Sequence, residues 1–136
     1  MNAAAIAYQT AVDLPFTDAV ARCREELAKE GFGVLTEIDI PAKLKEKLGV
    51  DFPPYLILGA CHPPSAHRSL QAAPEVGVLL PCNVTVSVEG GRTIVRAMNP
   101  DAAMQMIDNP EVAAVATEVG AALRRVLAGV AAASPG

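Results

Sequence analysis

The sequence predicts an α+β domain: a mixed or antiparallel sheet of about five strands, with helices packed mainly on one face. Three observations lead there. Residues 82–89, CNVTVSVE, alternate apolar and polar with period two, and Gly90–Gly91 then joins them to RTIVRAM at 92–98. Two glycines accept the positive φ of a primed two-residue turn, so the runs form an antiparallel hairpin. Upstream, apolar strand-like runs alternate with segments of helical spacing; downstream, two helices open on the same Asn-Pro-acid signal, at 99–101 and 109–111. The expected order is β-α-β-α-β-α-β-β-α-α over residues 1–136, a single domain of a length that suits one core.

Residues 3–9 read as a first strand. The stretch 15–34 holds a helix that starts at Pro15 or Thr17, aligns Val20, Cys23 and Leu27 on one face, and stops at Gly31. FGVLTEIDI (32–40) is the second strand. PAKLKEKLG (41–49) is a short helix with proline in its first turn and glycine at its end, and Lys43, Lys45 and Lys47 mark its solvated face. YLILGAC (55–61) is almost continuously apolar, which predicts a central strand covered on both faces. PPSAHRSLQAA (63–73) is a helix that must end before Pro74. VGVLLP (76–81) is an apolar connection or irregular strand. After the hairpin come helices at 99–108 and from 109 onward. Val112, Val115, Val119, Leu123, Val126 and Val130 give the last one a packing stripe, and the tail AAASPG is expected to fray.

Composition narrows the function classes. With 51% hydrophobic and 19% charged residues the chain is not disordered, and with only 4% aromatic residues its core must be built from Val, Leu, Ile and Ala. The net charge of −4 and the scattered basic residues exclude a nucleic-acid stripe. No run approaches the ~18 apolar residues of a membrane span. No charged n-region or long h-region opens the sequence, and the cysteines number three. The expected setting is the reducing cytoplasm, with free thiols.

The candidate chemistry centres on Cys61 and Cys82, each at the end of an apolar strand. A thiol before a helix start gains thiolate character, although Pro63 and Pro64 remove the amides that would hold the charge. The alternative is a small apolar side chain finishing a buried strand. Cys82 leads the valine face of its strand, so the two thiols could form a redox pair, share a soft metal or simply pack. Cys61, His62, His67 and Cys82 have the composition of a tetrahedral zinc set, but adjacent residues on an extended strand point to opposite faces, which sets His62 apart from Cys61. Asn83, on the polar face, is a candidate ligand or interface contact and equally a solvent-facing residue. Cys23, on an apolar helix face, reads as structural. Asp39, Asp51, Asp101 and Asp108 sit where turns and caps explain them. No phosphate loop, paired-carboxylate motif, GxSxG or HExxH occurs.

GFGVLTEIDI (31–40), YLILGACHPPSAHRSL (55–70) and VGVLLPCNVTV (76–86), in this order, resemble the bacterial and archaeal family called domain of unknown function 302. Its usual pattern reads GFGVLTEIDV, then ILGACNP followed by A-H-R-A-L, then GLLLPCNVVV. His62 departs from it, standing where Asn is common. The resemblance implies a small α+β fold assembled as a homodimer. It also implies that Cys61, Pro63, His67, Pro81, Cys82 and Asn83 occupy motif positions. It implies no reaction and no particular cofactor.

The leading expectation is a cytoplasmic homodimeric domain that binds a small ligand or thiol-reactive species near Cys61 and Cys82, with His67 and Asn83 as further candidates. Two other classes stand beside it: a structural or partner-binding module without chemistry, and a metal, haem or other cofactor carrier using the thiols and His67.

Overall fold

The computed structural model describes residues 5–133. It contains β1 (Ala7–Val12), α1 (Phe16–Lys29), β2 (Gly33–Asp39), α2 (Ile40–Leu48), β3 (Tyr55–Cys61), α3 (Pro63–Ala72), β4 (Cys82–Glu89), β5 (Arg92–Met98), α4 (Pro100–Ala103) and α5 (Pro110–Ala132). Short 3-10 turns at Pro74–Leu79 and Met104–Met106 link α3 to β4 and continue α4. Residues 3–4 of the expected first strand and 134–136 of the tail lie outside the described residues.

Every pairing in the sheet is antiparallel, in the order β1-β5-β4-β3-β2. The hairpin follows its alternation as far as Val86: Cys82, Val84 and Val86 are buried, whereas Ser87, expected on the polar face, is buried and Val88 is only half-buried; Gly90 and Gly91 both take positive φ. Register carries that face across the sheet, Ala60 opposite Cys82, Leu58 opposite Val84 and Ala97 opposite Val84. β1 ends later than its sequence suggests because Val12 pairs with Thr93 and is buried. β3 does lie inside the sheet, but only one of its faces is well buried. Tyr55 and Ile57 alternate with the buried Leu56 and Leu58 and are half-exposed, so its continuous apolarity overstated the cover.

α1 and α5 cover the buried face. All six residues of the predicted α5 stripe are buried, and Cys23 and Leu27 of α1 meet five of them, Val115, Val119, Leu123, Val126 and Val130, in the main core. Each such side chain contributes about 2 kcal/mol of burial free energy. A second, smaller cluster gathers Ala73, Val76 and Met104 against Val112 and Ala116 in the N-terminal turns of α5.

The two Asn-Pro starts act as caps. Asn109 Oδ1 accepts from the backbone N–H groups of Glu111 and Val112 at 3.0 and 3.1 Å. Asn99 Oδ1 accepts from Ala102 N–H at 3.4 Å and from the Tyr8 hydroxyl at 3.0 Å, which ties β1 to α4. The helix expected over 99–108 is only α4 plus a 3-10 turn. Pro110 forces Asn109 into an extended conformation, so the chain must leave the helix before it. The basic residues of α2 are exposed; Lys43 pairs with Glu46 at 3.7 Å and Lys45 with Asp51 at 3.1 Å.

Close packing fixes Gly59 between neighbouring elements. A Cβ on Gly59 would fall against Thr36 Oγ1 of β2 and 2.9 Å from Pro81 Cγ. We expect Gly59→Ala to lower unfolding stability by about 1–3 kcal/mol in urea titrations. Gly33→Ala, where nothing lies within 4 Å, should cost far less.

Candidate functional site

Where β3 ends and β4 begins, the sheet gives way to α3, and between α3, α5 and these strand termini lies an apolar cavity of about 30 Å³. Its walls draw on both hydrophobic clusters. Val115 and Val119 come from the main core, while Met104, Val112 and Ala116 come from the smaller one. The cavity is therefore a seam between two packed units. A larger hollow of about 500 Å³ beside Asp101 and Thr117 has neither thiol nor imidazole in its walls.

Cys61 and Cys82 both border the seam. Register pairs Cys82 with Ala60, one residue short of Cys61. Alternation sends Ala60 to the core side with Cys82 and turns Cys61 the other way, so Cys82 is buried in the wall while half-exposed Cys61 closes the rim at the strand end. Their Cβ directions diverge, which disfavours a disulfide, and both thiols are free. They are near enough to interact: burial first, and the Cys61 charge second, push the Cys82 thiol up to about 11. Burial alone pushes Cys23 up to about 12. At neutral pH both therefore carry protons and are poor nucleophiles.

His62 belongs to the site, contrary to the expectation that alternation would remove it. It leaves the strand as the N-cap of α3, with φ −98° and ψ 101°, so strand alternation no longer governs it. Its ring packs against Phe32, centroids 5.4 Å apart, and Nδ1 shares a 2.7 Å hydrogen bond with the Ser65 hydroxyl. Gly31 makes the room: a Cβ there would lie 3.2 Å from the imidazole. Ser65 and Ser69, one helical turn apart, are the buried residues of α3 and line the same cavity. Sequence reading weighed His62 only as a zinc ligand set apart from Cys61, and passed over Ser65 and Ser69. The signals available were the three-residue spacing from N-cap His62 to Ser65, and the four-residue spacing to Ser69.

His67 is exposed on another face of α3 and does not line the cavity; a helix presents residues 65 and 69 together and turns 67 away. Asn83 is exposed and points to the side of the sheet opposite Cys82. The four-residue set of Cys61, His62, His67 and Cys82 is thus not brought together. Among the described residues no group of three or more His, Cys, Asp or Glu side chains is placed to hold a metal ion. No helix of the described residues is long and apolar enough to cross a membrane.

α3 is held over the cavity by its polar edge. Arg68 donates from Nε to Glu111 at 3.0 Å and from Nη1 to Glu118 at 2.8 Å, and Asn109 Nδ2 donates to the Ala72 carbonyl at 3.2 Å. On the outer side of the His62–Ser65 pair lies a charged cleft that includes the Glu30–Arg125 ion pair.

A family model described as "Domain of unknown function DUF302" matches residues 8–130. The chain is also similar to a solved structure, described as an uncharacterized conserved protein DUF302 from Bacillus stearothermophilus. The two are 32% identical, the match covers 92% of this chain and 95% of the other, and the TM-score is 0.82. No curated protein matches the chain.

Two outcomes follow from the thiols. In native buffer, iodoacetamide followed by peptide mass spectrometry should find Cys61 alkylated first, with Cys82 and Cys23 modified only on unfolding. Alkaline stability should fall. Cys82 and Cys23 hold their protons more tightly folded than unfolded, so their contribution is intact below about pH 9 and is lost as pH rises toward 11 and 12. Thermal melts between pH 7 and 11 should show this decline, and Cys23→Ala should flatten it.

Proposed function

This chain belongs to the DUF302 family, and from that premise we propose that it is a cytoplasmic homodimer that binds a small ligand in the seam cavity beside Cys61 and Cys82. One observation carries the binding reading. Two thiols, an imidazole and two buried serines converge on a single apolar cavity, and a concave apolar site with a few convergent polar groups is the usual form of a small-molecule site. In this reading Cys82 serves as a neutral, polarisable wall and Cys61 as the accessible thiol at the rim, the place where a thiol-reactive ligand would meet the protein.

The homodimer has its own support. Among the described residues, five of the nine large exposed hydrophobic side chains, Leu35, Ile38, Leu48, Val50 and Phe52, fall between β2 and the start of β3. β2 is an edge strand, and an apolar, unpaired edge calls for cover.

Native mass spectrometry of freshly purified protein should find a small molecule retained by the wild type and absent from Ala116→Leu, whose larger side chain fills the cavity. Protein that carries no adduct and takes up no xenon into the cavity would overturn the binding reading. Light scattering should give twice the 14.1 kDa chain mass, and Leu35→Glu should shift it to the monomer value. A monomeric wild type would overturn the dimer.

A further inference from the structure

The cavity walls say more about the ligand than that it is small. No Asp, Glu, Lys or Arg lines the cavity, and its polar groups are hydroxyls, thiols and one imidazole. A charged group would lose its hydration there with no counter-charge to replace it, so the buried part of the ligand must be neutral. About 30 Å³ sets its size. One water-sized sphere takes about 10–15 Å³, so two or three heavy atoms fit inside and the remainder must extend past the rim.

The serines differ in a way that selects the polar atom. Ser65 is committed to His62 at 2.7 Å. Ser69 is only 5% exposed, and no hydrogen bond among the described residues uses its hydroxyl. It does not donate back to the Ser65 carbonyl one turn earlier, although Thr117 makes that kind of bond to Ala113 at 3.3 Å. Among the described residues only Arg22 Nε and Thr85 Oγ1 are fully enclosed without a partner, so the Ser69 hydroxyl keeps an opening, and the cavity is the space it borders. One buried donor therefore faces an apolar hollow unpaired. Buried hydroxyls are ordinarily partnered, which marks this one as waiting for an acceptor.

We propose that the seam cavity binds the carbonyl end of a small neutral ketone or ester, whose oxygen accepts a hydrogen bond from Ser69 while its alkyl group packs on Val112, Val115 and Ala116. This deepens the binding reading above and rests on it. A carbonyl is satisfied by one donor.

The test uses three probes on the full chain, read by methyl chemical shifts of Val112 and Val115. Xenon reports the cavity alone, 2-butanone the carbonyl, and butyrate the same carbon count with a charge. Wild-type protein should show saturable shifts with xenon and with butanone and none with butyrate at pH 7. Ser69→Ala should weaken butanone about fivefold to tenfold, the value of one lost hydrogen bond, and leave xenon unchanged. Alanine is the better helix former, so α3 persists in the variant. Butanone binding equally well to Ser69→Ala, or butyrate binding as tightly as butanone, would overturn the assignment. Xenon uptake with no butanone shift would overturn it too and leave the cavity reading standing. A cavity that takes up no xenon would overturn both.

Discussion

The burial of the α5 stripe is the constraint on which the rest of the structure depends. An antiparallel sheet with one apolar face must cover that face, and α5 does most of this with Val115, Val119, Leu123, Val126 and Val130, while α1 fills the remainder through Cys23 and Leu27. Because α5 runs 23 residues, it extends past the area that the sheet and α1 occupy. Its N-terminal turns, at Val112 and Ala116, need other partners, and the 3-10 segments and α3 supply them. The domain therefore has two apolar clusters along one helix.

The cavity follows from that arrangement. Two clusters built from different elements meet along α5 and do not interdigitate fully. The strand ends that could fill the gap terminate in Cys61 and Cys82, which are small. α3 cannot sink further, because Arg68 bridges Glu111 and Glu118 and Asn109 holds its C-terminal carbonyl. Polar ties at the rim thus keep an apolar space open beneath. The Cys82 thiol at the seam is kept protonated by the same burial that shapes it, so the site favours packing and neutral recognition over nucleophilic attack from Cys82.

Relatedness places this geometry in a wider frame. The family match spans residues 8–130, and a solved relative at 32% identity has the same fold. The three motifs that carry the likeness in the sequence fall on β2, on β3 with α3, and on the entry to β4, the elements that converge on Gly59 and the cavity mouth. Pro81 and Thr36 close over Gly59, so these motifs serve the sheet's close packing as well as the site.

Local chemistry was enough to determine the hairpin, the two asparagine caps, the stop at Gly31 and the buried stripe of α5. Each is decided by residues within a turn or two of one another: alternation, side-chain capping, left-handed glycine, helical spacing. The continuous apolar run of β3 could not reveal how many of its faces are covered, because cover is supplied by elements far away in the chain. The site was half legible for a similar reason. Cys61 and Cys82 stood out by residue type, and their strands were recognisable. His62 joins them because the chain leaves the strand at that residue, and Ser65 and Ser69 because α3 turns that face toward α5; His67, two residues on, is turned out to solvent. Sequence assigns residues to strands and helices, whose periods are local, whereas the side of each element that meets a partner is decided only when the elements pack.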